Sequence, residues 1–172
     1  RGLGDVYKRQ VITFDLRGHG QSVEMRGMVG AGEGAKIELD KLRKPQIVSM
    51  SLDVEAVKKF LIEQNNEEKL NIEMLCVVGS EFGAVLAMNW AVLDWNARSL
   101  PAYKMGQDVK ALVLISPKSS FRGLTTRTAL AHPIVRRDLS VFIAVGSQQS
   151  RDMSDAKRIY NSFERFHTNE RE

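Results

Sequence analysis

With 172 residues, 43% of them hydrophobic and 27% charged, the chain has material for one domain with a substantial core and too little for two. A single cysteine, Cys76, excludes an internal disulfide framework, and no apolar run is long enough to span a bilayer; LNIEMLCVVG is short and broken by Glu73. The formal net charge is +4, of which Arg1, Lys8 and Arg9 against Asp5 supply +2, so charge makes a weak case for nucleic acid.

The opening residues, RGLGDVYKRQ, resemble a translated sequencing-adapter tail, and 1–10 are taken as non-native, with 11–172 as the native part. No signal peptide is legible, so the compartment is open, with the cytoplasm as default. Four continuous apolar runs follow: VITFD (11–15), MLCVVG (74–79), VKALVLIS (109–116) and LSVFIAVG (139–146). Continuous rather than alternating runs predict strands covered on both faces, with Cys76 as a small buried residue of the second.

Helical patterns lie between them. Ser51 is placed to cap a helix with Asp53 and Glu55 at its positive end. Val54, Val57, Phe60 and Leu61 form its apolar face, and Lys58, Lys59 and Glu63 its solvent face. A second helix over 83–95 carries Gly83, Ala84, Ala87 and Ala91 on the side that approaches a sheet. A third, starting near Asp152 or Ser154, sets Ala156, Ile159, Tyr160 and Phe163 on one stripe. Strand–helix alternation predicts an α/β fold: a doubly wound, mostly parallel sheet with helices on both faces. Residues 25–45 read as a surface loop whose glycines lack the Gly-Lys-Ser/Thr ending of a phosphate-binding loop. The connection 117–138 has room for one short helix, broken near Pro133, and none for a large cap.

The stretch VVGSEFGAVLAMNWA falls where a strand gives way to a helix, and it fits Gly-x-nucleophile-x-Gly as Gly79, Ser80, Glu81, Phe82 and Gly83. Small residues are needed there because the turn is tight and bulk would strike the neighbouring strand and helix. VITFDLRGHGQS, VKALVLISP and LSVFIAVGSQQSRDMSDAKRIYNSF accompany it in order. Together, over 11–166, these segments resemble the α/β-hydrolase superfamily of esterase-, lipase- and peptidase-like proteins.

The resemblance implies an incomplete α/β-hydrolase fold and hydrolysis of esters, amides or related bonds. It makes Glu81 the nucleophile position, the Phe82 N–H an oxyanion donor, and Gln149 the occupant of the acid position, with Asp152 as alternative acid or helix cap. Gly79, Ser80 and Gly83 become structural parts of the elbow. It also puts the histidine beyond Glu172 and the first oxyanion loop before residue 11; His19 is structural, His132 lies in a loop, and His167 ends the last helix on a solvated side. Two departures stand out. Glutamate replaces serine at the elbow, and Gln149 orients a histidine without the charge that stabilises an imidazolium.

The leading expectation is a catalytically impaired relative that binds a ligand or partner, its Glu81 carboxylate held by the N–H groups of the following helix. The alternative is an active hydrolase of esters, amides, epoxides or alkyl halides that uses Glu81, or Ser80, as nucleophile. A small-molecule ligand or substrate is expected, with no cofactor, metal, nucleic acid or membrane, and the oligomeric state is open. The family also sets another strand between those matching 11–15 and 74–79. Without it, the chain is expected to aggregate or to be marginally stable, and a cooperative, monomeric thermal transition would count against that.

Overall fold

The computed structural model describes residues 10–24, 36–98, 105–147 and 150–167. Three of the four apolar runs become strands: β1 (Leu75–Ser80), β2 (Val109–Ile115) and β5 (Ser140–Ala144). All pairings are parallel in the order β1-β2-β5, with Val78 opposite Val113 and Val113 opposite Phe142. The α/β architecture with a parallel sheet is therefore present.

The remaining elements are helices α1 (Lys44–Val48), α2 (Ser51–Asn66), α3 (Phe82–Asn96), α4 (Arg127–Ala131), α5 (Pro133–Arg137) and α6 (Ser150–Glu164), with a hairpin of β3 (Ser120–Phe121) and β4 (Leu124–Thr125). Helix α3 is the centre of the molecule. It is apolar nearly all round, and Ala84, Val85, Met88, Trp90 and Ala91 are each at most 1% exposed. Its small residues let it lie close on β1 and β2, while α2, α4 and α5 pack against its other sides.

The expected two-sided covering is corrected. Helices α2 to α6 lie on the sheet face that carries Val77, Leu112, Leu114, Val141 and Ile143. The other face is bare among the described residues: Val78 and Phe142 are each 62% exposed, and Cys76 is exposed instead of buried. Strand order explains this. A right-handed crossover moves to the opposite face only where the direction of strand addition reverses, and β1-β2-β5 runs one way.

The run 11–15 is not a strand either, and Val11 is 85% exposed. β-branched composition favours extended backbone, but a strand persists only with a partner to pair with. The turn after it is nonetheless anchored. Arg17 grips Asp53 in the first turn of α2, with Nε donating to Oδ2 at 2.9 Å and the backbone N–H to the same oxygen at 3.1 Å. His19 stays local, its Nδ1 3.3 Å from the Arg17 carbonyl, in line with a structural role.

Further expectations for the helices change. Met50, not Ser51, is the N-cap of α2, because α1 runs almost directly into it; the Ser51 hydroxyl donates back to the Val48 carbonyl at 3.0 Å. Phe60 of the expected apolar face is exposed, whereas Lys58 of the expected solvent face is buried. In α6, Ala156, Ile159 and Phe163 are buried as expected, but Tyr160 is exposed and donates to Glu164 at 2.8 Å. His167 is half-buried edge-on to Phe163, not solvated.

The connection 117–138 holds two short helices and the hairpin, where one short helix was expected. His132 divides the helices: its Nδ1 accepts the Val135 N–H at 3.4 Å and so caps α5, whose first residue is Pro133. The hairpin closes through Arg122 and Gly123, both at positive φ (44° and 89°), as a two-residue turn requires. Arg122 ties the hairpin to the 3-10 turn Leu39–Lys41 by donating to Asp40 Oδ1 at 2.7 Å. The tail expected at 1–10 lies outside the described residues except for Gln10, and so does most of the loop at 25–45.

Candidate functional site at the carboxyl ends of the strands

The turn from β1 into α3 has the backbone of a sharp elbow. Ser80 is still extended and pairs with Ile115, and the Glu81 N–H donates to the Ile115 carbonyl at 2.8 Å. Glu81 itself then takes φ 48° and ψ −108°, outside the regions that L-residues with a side chain favour. Such a residue costs roughly 1–3 kcal/mol and is kept where the surroundings over-determine it. Those surroundings are the sheet bond before it and the buried helix start after it.

The space around the elbow is unequal. A Cβ on Gly79 would sit 2.4 Å from the Gly83 carbonyl oxygen, so strand and helix meet there through bare backbone. A Cβ on Gly83 would meet nothing within 4 Å, which corrects the expectation that both glycines are needed for room. Phe82 is the first residue of α3, so its N–H is one of those that a helix cannot bond internally. Its ring is buried and packs on Phe121, centroids 4.4 Å apart, which fixes the start of the helix against the hairpin.

The side chain at the apex has a partner that the sequence did not reveal. Lys118 Nζ donates to Glu81 Oε2 at 2.8 Å from the loop after β2. This bond to Glu81 raises the Lys118 pKa above its ordinary value; partial burial opposes it, while the charges of Glu81 and Asp152 add to it. Thus Asp152, in the first turn of α6, lies close enough to act on the Lys118 ammonium. It is a helical residue instead of the cap of that helix. Gln149, the expected occupant of the acid position, lies outside the described residues.

Glu81, Lys118 and Asp152 therefore come from the segments that follow β1, β2 and β5, at the carboxyl ends of the parallel strands. In open α/β sheets that edge is where ligands bind. The Glu81 side chain is 61% exposed and that of Lys118 37%, so the pair is reachable from solvent. Chemically it offers one anionic and one cationic hydrogen-bonding group, with a second carboxylate nearby. Two histidines bond elsewhere, His19 to Arg17 and His132 to Val135 and Asn96, while His167 Nε2 is buried with no partner among the described residues.

A second polar group lies beside the first. The Ser119 hydroxyl donates to Asp155 Oδ1 at 2.6 Å and its N–H to Oδ2 at 3.1 Å, and Arg158 binds both side chains. Burial opposes the charge on Asp155, but the Ser119 bonds and Arg158 outweigh it and hold the carboxyl below its usual range. This docks α6 against the loop that carries Lys118.

Among the described residues, no group of three or more His, Cys, Asp or Glu side chains could hold a metal ion, and no helix is long and apolar enough to cross a membrane. Compared with protein-family models, curated proteins and solved structures, the chain gives no significant match.

Proposed function

We propose that this chain is an α/β-hydrolase-fold relative that has lost acyl-transfer chemistry and uses the elbow to bind a small polar ligand. The observation that carries this reading is the pairing of Glu81 with Lys118 at the strained apex. A serine there would attack a carbonyl to give an ester. A carboxylate attacking the same carbonyl gives an anhydride, and its lone pairs are further engaged by the Lys118 ammonium. The same geometry serves binding well, because a ligand carrying both a cationic and an anionic group can exchange partners with the two side chains.

The second reading is an active hydrolase in which Glu81 attacks an epoxide or alkyl halide to form an alkyl ester. The 61% exposure of the Glu81 side chain favours it. Glutamate nevertheless reaches one methylene further than the aspartate usual in such relatives, and near-attack geometry tolerates little displacement. A serine mechanism through Ser80 has less support, because Ser80 lies in the extended strand before the apex.

Intact-mass measurement separates these readings. With the exposed Cys76 thiol blocked beforehand, the chain is expected to keep its mass after exposure to a fluorophosphonate, an epoxide and an alkyl bromide. A phosphonylated serine would establish the serine hydrolase. An alkyl adduct mapped to Glu81 would establish the carboxylate nucleophile, and either result sinks the binding reading.

A further inference from the structure

Away from the elbow, α4, α5, α6 and the β3–β4 hairpin enclose an open groove of about 620 Å³. Three guanidinium groups line it, those of Arg127, Arg136 and Arg158, together with the hydroxyl residues Ser119, Thr126 and Ser162. Among the described residues that line it, none bears a carboxylate. Asp155, which binds two of the lining residues, is already engaged by Arg158 and Ser119.

The arginines differ in how far their charge is answered. Arg136 stacks on the Phe166 ring at 4.0 Å, and its Nε is buried without a hydrogen-bond partner among the described residues. Stacking fixes the plane of a guanidinium and leaves its edge, where the donors lie, for a ligand. Arg127 is exposed and makes no ion pair among the described residues. Arg158 is answered by Asp155, which leaves Arg127 and Arg136 as like charges around one concavity that repel each other. One oxyanion relieves that repulsion, because its oxygens accept from the edges of both guanidinium groups.

We propose that this groove is a binding site for a phosphate-type oxyanion, either free phosphate or the phosphate of a phosphomonoester. The site is independent of the reading of the elbow, since neither Glu81 nor Lys118 lines it.

Calorimetric titration with inorganic phosphate and with phenyl phosphate, at constant ionic strength set by chloride, tests it. The unmodified chain is expected to bind at least one of the two saturably with one site. The Arg127→Gln/Arg136→Gln double variant is expected to bind about tenfold more weakly or worse, since charge-assisted bonds are lost. A Lys59→Gln/Arg98→Gln double variant removes the same charge from exposed positions outside the groove and is expected to bind like the parent. Matching circular dichroism and melting profiles confirm that each variant is folded; should Arg136→Gln disturb the Phe166 packing, Arg127→Gln alone carries the comparison. Tighter binding of phenyl phosphate assigns the groove to a phosphomonoester, tighter binding of inorganic phosphate assigns it to the free anion, and both orders uphold the site. Absence of saturable binding, or equal weakening in the groove and control variants, overturns it.

Discussion

Replacing Lys58 by alanine is expected to destabilise the fold by about 3–5 kcal/mol, a large share of the 5–15 kcal/mol typical of a domain. Lys58 is 1% exposed, on the face of α2 that meets α3. Its ammonium binds Asp94 of α3, sits 3.0 Å from Asp108 Oδ2 and lies 5.9 Å from the centroid of the Trp90 ring. Asp94 is the hub of the cluster, because its other oxygen accepts the Asp108 and Val109 N–H groups at 2.9 and 3.1 Å. One carboxylate thus joins the end of α3 to the start of β2, and Lys58 joins both to α2. Without the ammonium, the buried Asp94 carboxylate loses its cation, and the penalty comes from that remainder more than from lost attraction.

The cluster has an internal control. Asp108→Asn leaves one cation facing one carboxylate, so its cost should stay below about 1.5 kcal/mol, the range of one ordinary hydrogen bond. Urea unfolding midpoints at equal slope measure both variants. A cost near zero for Lys58→Ala would show that water or a shifted side chain replaces the ammonium. The pH dependence has a defined sign. Burial lowers the Lys58 pKa, but Asp94 and Asp108 outweigh it and the net shift is upward. A raised lysine stabilises the fold fully below its unfolded value of about 10.4 and loses that contribution as pH rises through the folded value. The parent chain should therefore lose stability above about pH 10.4 faster than Lys58→Ala does.

Lys58 also shows where reading the sequence failed. Face assignment by hydrophobicity placed it in water, because a lone lysine on an amphipathic helix is ordinarily solvated. The available signal lay elsewhere: Asp94 is the one charged residue of an otherwise uncharged, mostly apolar helix, and Asp108 stands directly before a strand. Two acids at buried element ends call for a cation. Lys118 was hidden for a different reason, since it meets Glu81 across 37 residues of chain and nothing local marks it. The parallel strands at 75–80, 109–115 and 140–144 were legible because short, β-branched apolar runs bounded by polar loops favour paired extended backbone. The strand-to-helix turn after residue 80 was legible because the apolar run stops there and a helical pattern begins. Residues 11–15 have the same composition as the true strands and no described partner, so composition could not distinguish them. Two-sided covering was inferred from the same runs, but apolar side chains on both faces do not specify whether both faces are covered.

The elbow yields the second large effect, through a contrast between its two glycines. Gly79→Ala would set a methyl 2.4 Å from the Gly83 carbonyl oxygen and 2.7 Å from the Ala84 nitrogen, both backbone atoms. No side-chain rotation can relieve that contact, so α3 must move away from β1. Because α3 carries most of the core, the displacement would loosen the packing of Ala84 and Ala87 on the sheet. The expected cost is at the upper end of the 1–3 kcal/mol typical of overpacking. Gly83→Ala, four residues further on, enters open space within a helix and should gain roughly 0.5–1 kcal/mol from helix propensity. Opposite signs in denaturant midpoints, at matched slopes, would confirm that the constraint lies only on the strand side. The pair also bears on function, because the position of α3 sets where Glu81 stands. A Gly79→Ala chain that still folds should hold Glu81 and Lys118 further apart, whereas Gly83→Ala should leave the pair intact. Equal tolerance of both substitutions would mean that the strand–helix contact yields easily, and the strained Glu81 backbone would then have to be held by the Ile115 hydrogen bond and the Phe82–Phe121 contact.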